Sequence, residues 1–471
     1  MKKKLIQLVK LGLFVSVLVL ALMVRKKNYA EIPIPGQSAD EYSYSWVGLS
    51  LIRLGMPVGI SGIDGYQNSL FRYVNVDRFF QTVSSGDPLE INYPWMDHPP
   101  LLGLITGGYA YLSGARVFED TTTAIIRKPI IIISTLSVAL LMVYCWINFG
   151  FLTSVTAGLL YATTPLIVLS GRMIQAENAI IPCMLGVMIC LSLYLKKREN
   201  LWLVGAAVLS GLSTLFKLTG VVNYLLVLLV LINQHQGLNR KFRDDFGFFL
   251  IMALPISFWF VIYGGVYGGE NFKNILFSNY NRFYGIGPNS IIELIRNQRL
   301  TQHKFLPEAA IIGGWMVFLG RLMKEKIKSL GLNVTILALL AYLVVYILFG
   351  SQPYGWYAFP FWPMLIILLA EFLVSGFEKN KRLVPGFFLS VMILGANLAG
   401  LINVFEFQPW ANYWRIGITL VFLLLILKPV LRVKKLSLSR WIILLLIAAV
   451  VYTNVAYLNK INLDFWWQNI S

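Results

Sequence analysis

The dominant constraint on this chain is the recurrence, from end to end, of apolar stretches about 20 residues long, the length needed to cross a bilayer as a helix. Backbone polar groups in hydrocarbon must be satisfied internally, so such stretches become helices unless they alternate as barrel strands do. Here the apolar runs are continuous. The clear candidates are residues 5–24, 129–148, 151–170, 178–195, 246–264, 305–323, 331–349, 357–374, 384–404, 414–430 and 440–458. Two shorter runs, 201–216 and 218–233, meet at Lys217 and read as a tight helical hairpin. Residues 100–115 are apolar but short, and Gly107-Gly108 interrupts them. The expectation is an all-α polytopic membrane protein of about thirteen transmembrane helices forming a single domain over residues 1–471. Hydrophobic residues make up 57% of the chain and charged residues 13%, against about 25% charged in soluble domains. That balance excludes a soluble enzyme, a disordered chain and a nucleic-acid-binding domain. Cys145, Cys183 and Cys190 all lie in apolar stretches and make neither a disulfide framework nor a thiolate metal site.

The net charge of +18 orients the helices. Lys and Arg gather in cytoplasmic loops. If residues 100–115 do not span, one side holds Lys196-Lys197-Arg198, Arg240-Lys241-Arg243, Lys324-Lys326-Lys328, Lys379-Lys381-Arg382 and Arg432-Lys434-Lys435. The short opposite loops 171–177, 350–356 and 405–413 then contain a single basic residue, Arg172. If 100–115 did span, these clusters would face outward. We therefore place 100–115 as a helix at the outer membrane surface, the amino terminus in the cytoplasm and the carboxyl terminus outside, in a plasma (inner) membrane. The first stretch follows Met1-Lys2-Lys3-Lys4 and reads as a retained anchor, since no A-x-A cleavage site follows it. Two external loops are long, 25–128 and 265–304, and long loops in compact proteins are usually functional. The first should carry interfacial helices.

Five clusters could carry chemistry. Asp40-Glu41 follows the first span; such a pair serves as a general base or holds a cation, or it simply starts a helix with Ser38 or Asp40 as cap. Asp97-His98 precedes Pro99-Pro100, which fix the start of the interfacial helix; His98 donates to a phosphate, binds a metal, or is merely solvated there. Arg172 and Glu177 lie at the outer end of a span, where ionisable groups are costly and functional by default, the bland reading being a snorkelling pair. Lys217 breaks the charge trend in an outer turn and asks for an anion, a lipid headgroup or a substrate phosphate. Tyr354, Trp356 and Tyr357 open a late span and form an interfacial belt or a binding surface.

In order, these are an acidic pair after the first span, Pro99-Pro100-Leu101, Arg127-Lys128-Pro129, Arg172 with Glu177 five positions on, Lys217-x-x-Gly220, and Trp356-Tyr357-x-x-Pro360-x-x-Pro363. The set resembles the GT-C-fold integral membrane glycosyltransferases, and within them the protein O-mannosyltransferase and lipid A aminoarabinose transferase group. The resemblance is strongest over residues 38–225 and returns at 352–363. His98 stands where the lipid A transferases favour Lys, and Glu177 where many relatives carry Asp.

The resemblance implies a sugar donor joined to a polyprenyl phosphate and a hydroxyl acceptor, a cell-envelope glycan, lipid or protein. It implies Asp40 as base with Glu41 beside it to orient the acceptor or bind a cation. Arg172, Lys217, His98 and Tyr357 would meet the leaving phosphate, and Asp97 and Glu177 would position the acceptor or a cation. A divalent cation is the one cofactor it leaves room for; membrane lipids are the other partners. The rival classes are a lipid-linked sugar flippase or secondary transporter, which would use charges near the bilayer midplane and often an internal repeat, and a phosphatase or ligase of lipid-linked intermediates. The charged candidates instead cluster at one face.

Overall fold

The structure is a computed structural model that describes residues 2–36, 40–63, 66, 69–73, 88–281, 291–292, 294–295, 298–301, 304–323, 329–349, 354–378, 383–393 and 440–469, with isolated positions between 412 and 423. The basic clusters at 324–328, 379–382 and 432–435, most of the expected span 414–430 and the second half of 384–404 lie outside the described residues. Among those described, eight helices are long and apolar enough to cross a membrane, and five more are apolar but shorter. The chain is a multi-pass membrane protein.

The helices run α1 (Lys2–Lys26), α2 (Asp40–Leu54), α3 (Leu101–Leu112), α4 (Thr123–Phe149), α5 (Phe151–Thr163), α6 (Pro165–Ser170), α7 (Ala176–Lys197), α8 (Asn200–Phe216), α9 (Val222–His235), α10 (Arg240–Tyr267), α11 (Glu270–Asn281), α12 (Ala309–Leu322), α13 (Leu330–Phe349), α14 (Phe361–Glu378), α15 (Leu383–Ile393), α16 (Arg440–Lys460) and α17 (Leu463–Asn469). The all-helical expectation needs one addition. A two-stranded antiparallel ribbon, β1 (Ser69–Tyr73) and β2 (Pro88–Asn92), lies in the first long loop, with Ser69 opposite Asn92.

Residues 151–170 do not form one continuous span. Pro165 has no N–H and pushes Thr164 out of the helical region, to φ −58° and ψ 118°. The helix therefore stops at Thr163 and restarts at Pro165. The break orphans two carbonyls of α5. That of Tyr161 would have accepted from the missing N–H of Pro165. That of Ala162 would have accepted from Leu166, whose N–H goes to Glu308 instead at 3.3 Å. Arg25, at the end of α1 and fully buried, takes both, at 3.3 Å to Tyr161 O and 3.2 Å to Ala162 O. Arg172 does the same service for α1, donating to Val24 O at 2.7 Å, and it also donates to Ile32 O in the loop beyond at 3.1 Å. Cations at helix carboxyl ends also complement the helix dipole.

A third arginine ties down the first loop. Arg127, on α4, is fully buried and grips the Glu41 carboxylate with two nitrogens, Nε to Oε1 at 3.0 Å and Nη2 to Oε2 at 2.7 Å. Its Nη1 donates to the carbonyls of Tyr29 and Pro33, at 2.8 and 2.7 Å. Glu41 Oε1 also accepts the Ile174 N–H at 3.0 Å. One guanidinium thus joins the chain leaving α1, the start of α2, α4 and the start of α7.

α2 is then clamped by α3. This helix has 12 residues, so it is about 18 Å long at 1.5 Å per residue and too short to cross the bilayer. It fits a helix lying at the surface. The two helices meet backbone to backbone through glycines. A Cβ on Gly48 would fall 1.8 Å from Gly103 O, and one on Gly107 would fall 2.4 Å from both Ser45 O and Leu49 N. Gly107, which reads in sequence as an interruption, is what permits this contact.

Two expectations test these contacts. Gly107→Leu forces α2 and α3 apart and should destabilise the detergent-solubilised protein by about 1–3 kcal/mol or more, seen as a lowered Tm. Arg127→Met leaves Glu41 buried without a counter-charge and should cost about 3–5 kcal/mol, while Arg127→Met with Glu41→Gln should recover much of that loss. A double variant no more stable than the single one would show that the carbonyl contacts of Arg127, not the charge pair, hold the loop.

Candidate active site

α2 begins at Asp40, so the acidic pair occupies the first turn, where carboxylates suit the helix dipole. Ser38 lies outside the described residues. The two carboxylates have separate environments. Glu41 is 1% exposed and both of its oxygens are engaged by Arg127 and Ile174. In this arrangement it is a structural tie, not a group open to an acceptor or a cation as the sequence reading had it. Asp40 is only half-buried. One turn further on α2, on the same face, stands Tyr44.

The second part of the site is built by the α8–α9 hairpin. α8 ends at Phe216, Lys217 is extended, and a 3₁₀ turn over Leu218–Val221 leads into α9. The turn closes tightly because Gly220 has no side chain; a Cβ there would meet Ser213 O at 2.2 Å. The Lys217 ammonium is thereby buried against α7, where it donates to Glu177 Oε1 at 2.6 Å. It also lies 4.2 Å from the centre of the Tyr357 ring, a cation–π contact. Tyr357 sits in a 3₁₀ turn, Gly355–Ala358, ahead of α14. Gly355 lets this turn approach the second long loop, since a Cβ there would meet Arg299 O at 2.4 Å.

The two parts share one electrostatic neighbourhood. Asp40, Glu177 and Tyr357 all act on Lys217. Asp40, Glu177, Tyr357 and Asp97 all act on Tyr44. Burial raises the Tyr44 hydroxyl well above its ordinary pKa, and the surrounding negative groups push the same way, so Tyr44 stays protonated and able to donate. His98 stacks on the Tyr44 ring at 5.6 Å and meets Trp95 edge-on at 5.8 Å. Asp97 is fixed by Ser61 Oγ at 2.6 Å and the Tyr66 hydroxyl at 2.5 Å, and its backbone carbonyl accepts from Asn279 of α11 at 3.0 Å. Burial, then the Asp97 charge and hydrogen bond, raise the Tyr66 pKa.

Of the residues singled out from sequence, the structure therefore gathers Asp40, Asp97, His98, Glu177, Lys217 and Tyr357 around Tyr44. It separates Arg172, which is 2% exposed and spends its guanidinium on Val24 and Ile32 carbonyls. Arg172 is thus not placed to meet a phosphate. Sequence reasoning passed over Tyr44, although its spacing of four from Asp40 on a helix was the available signal. It also passed over Ser61 and Tyr66, which reach Asp97 only through loop folding. Among the described residues, no three His, Cys, Asp or Glu side chains come together as a metal-holding group. Asp97 accepts from two hydroxyls, and Glu177 pairs through one oxygen with Lys217.

Comparison with known proteins agrees with this architecture. Residues 97–262 match the sequence model of the family described as dolichyl-phosphate-mannose-protein mannosyltransferase. No curated protein matches the chain. Among solved structures, the chain is similar to ArnT from Cupriavidus metallidurans bound to undecaprenyl phosphate, with TM-score 0.56 and 15% identity over 95% of this chain and 76% of that one. It is also similar to EmbB, an arabinosyltransferase from Mycobacterium smegmatis, with TM-score 0.54 and 12% identity over 94% of this chain and 40% of that one. A third similarity is to the oligosaccharyltransferase AglB from Archaeoglobus fulgidus, in complex with an inhibitory peptide and a dolichol-phosphate, with TM-score 0.50 and 13% identity over 94% of this chain and 56% of that one. The chain has the fold of the GT-C membrane transferases, with the mannosyltransferase match confined to the part that carries Asp97, Glu177 and Lys217.

Proposed function

We propose that the protein is a glycosyltransferase that moves a sugar from a polyprenyl-phosphate carrier to a hydroxyl acceptor at the outer face of the membrane. The observation that carries this reading is the buried Lys217–Glu177–Tyr357 group, with the Asp40 carboxylate acting on the Lys217 ammonium. A proton acceptor and a buried cation close to each other suit a displacement in which a hydroxyl attacks and a phosphate leaves. The undecaprenyl phosphate bound to ArnT and the dolichol-phosphate bound to AglB support a lipid-phosphate ligand for this fold.

Asp40 takes the proton of the acceptor hydroxyl as its oxygen bonds to the anomeric carbon. The bond from that carbon to the phosphate oxygen breaks, and the electron pair leaves with the lipid phosphate. A single displacement of this kind inverts the anomeric centre. Lys217 meets the charge that develops on the phosphate, in a buried setting where a preorganised cation is most effective. Its ammonium has three donors and gives one to Glu177. Tyr44 and His98 line the same neighbourhood and supply further hydrogen-bond donors. The leaving phosphate needs no separate strong acid. The amino terminus lies in the cytoplasm in this reading, which puts the site outside, where an activated sugar has to arrive on a membrane lipid.

Purified protein incubated with a panel of radiolabelled polyprenyl-phosphate sugars and envelope acceptors should yield a labelled product with one donor. Asp40→Asn should lower transfer by about 10²-fold or more while leaving donor binding intact; normal transfer by that variant removes Asp40 from the role of base. Lys217→Ala would leave Glu177 buried and unpaired, so it is best combined with Glu177→Gln. That pair should weaken donor use more than acceptor use, and the reverse pattern would argue against phosphate binding at Lys217.

A further inference from the structure

The turn that presents Lys217 contains a second set of polar groups that the reaction above does not use. Ser213 Oγ, Thr219 Oγ1 and both amide atoms of Asn223 are buried with no hydrogen-bond partner, and so is the second oxygen of Glu177, Oε2. The Tyr44 hydroxyl is in the same condition. Ser213, Glu177 and Asn223 are fully buried, and Thr219 is 6% exposed. Of the thirteen such atoms among the described residues, six belong to these five side chains. Buried polar groups are satisfied in folded proteins, so a concentration of unsatisfied ones marks a place that something polar fills.

These groups sit together for reasons of local structure. Thr219 and Asn223 are four residues apart across the junction of the 3₁₀ turn and α9, which puts them on one face. Ser213 lies beneath Gly220, where a Cβ would come within 2.7 Å of Ser213 Oγ. Between them Lys217 reaches Glu177, and Glu177 acts on Tyr44. Ser213 O accepts the Lys217 N–H at 3.3 Å, which ties this group to the residue assigned to the donor phosphate.

The chemistry of the open atoms narrows what can fill them. A carboxylate oxygen accepts only, so Glu177 Oε2 needs a donor, and the Asn223 amide offers one acceptor and two donors. A phosphate offers only acceptors when ionised and cannot satisfy Glu177 Oε2. A ring bearing several hydroxyls both donates and accepts at each one. We infer that Ser213, Thr219, Asn223 and Glu177 Oε2 form the subsite that reads the hydroxyls of the donor's sugar, with Asn223 as the residue that sets sugar specificity. This rests on the glycosyl-transfer reading and adds to it the location and chemistry of sugar selection.

The test measures binding to full-length protein in nanodiscs. The probes are undecaprenyl phosphate without sugar and undecaprenyl phosphate carrying mannose, glucose, galactose or arabinose. Wild type should prefer one sugar-bearing lipid over its epimers and over the bare carrier. Asn223→Leu should lose that preference by about ten- to a hundredfold, as expected when hydrogen bonds to a substrate hydroxyl are removed, and should bind the bare carrier within about twofold of wild type. Thr219→Val keeps the side-chain shape and should reduce the preference in the same direction. If Asn223→Leu loses the bare carrier as well, the Thr219→Val result decides. Unchanged epimer preference in a variant that binds the bare carrier normally overturns the subsite, and leaves glycosyl transfer standing if wild type transfers sugar. Equal wild-type affinity for all sugar-bearing lipids and the bare carrier also overturns it, as water filling the face would predict. Failure of wild type to bind any polyprenyl phosphate would instead overturn the underlying reading and the subsite with it.

Discussion

The buried pairing of Arg127 with Glu41 is the interaction on which the rest of the site depends. Charges taken out of water are expensive unless their remaining hydrogen-bonding capacity is met. Here it is met: three guanidinium nitrogens reach one carboxylate and two carbonyls, and the carboxylate takes a further backbone N–H from Ile174. The pair holds the start of α2 against α4 and α7. That placement brings Asp40 into the electrostatic neighbourhood of Lys217, which comes from a distant part of the chain. Arg25 and Arg172 extend the same logic. Arg25 spends a buried cation on the α5 carbonyls freed by Pro165, and Arg172 spends one on Val24 O at the end of α1 and on Ile32 O in the loop beyond it.

Neighbouring carboxylates therefore have different physical fates. Successive residues on a helix point about 100° apart, so Asp40 and Glu41 cannot both face the same partner. The longer side chain turns inward to Arg127 and is sealed there, while the shorter one remains half-buried at the edge of the helix. A base must reach the proton it abstracts. Tethering Glu41 secures the helix from which Asp40 would do so.

Much of this architecture is legible in sequence because membrane helices are written as length and hydropathy. Loop charges assign residues 100–115 to the outer surface, and the helix found there has only 12 residues, too few to span. The co-location of Asp40, Glu177 and Lys217 was also foreseeable, since three motifs assigned to one side of a bilayer have little room to stay apart. What sequence hid was pairing. Arg172 looked like an anion site because its position is outward and charged, yet the orphan carbonyls of Val24 and Ile32 claim it. Arg127 was visible only as part of a motif, and its partner lies 86 positions away. The break at Pro165 was visible as a proline, but its consequence, two carbonyls that recruit Arg25 from α1, depends on α1 and α5 being neighbours.

The glycines carry the same lesson about what a chain encodes. Gly107-Gly108 reads as a flaw in an apolar run, and Gly220 as a generic turn residue. In the fold, Gly107 allows α3 to lie backbone to backbone on α2, and Gly220 allows the hairpin to close over Ser213. Both contacts act on the site through position. The first seats the helix bearing Asp40 and Tyr44 on α3, which in turn packs on α4. The second draws Lys217 inward until it meets Glu177 and the face of Tyr357. A side chain at either glycine would leave the charged residues in place in the sequence but apart in space. The absence of a methyl group at two positions is thus as necessary to this arrangement as the carboxylates and the ammonium it brings together.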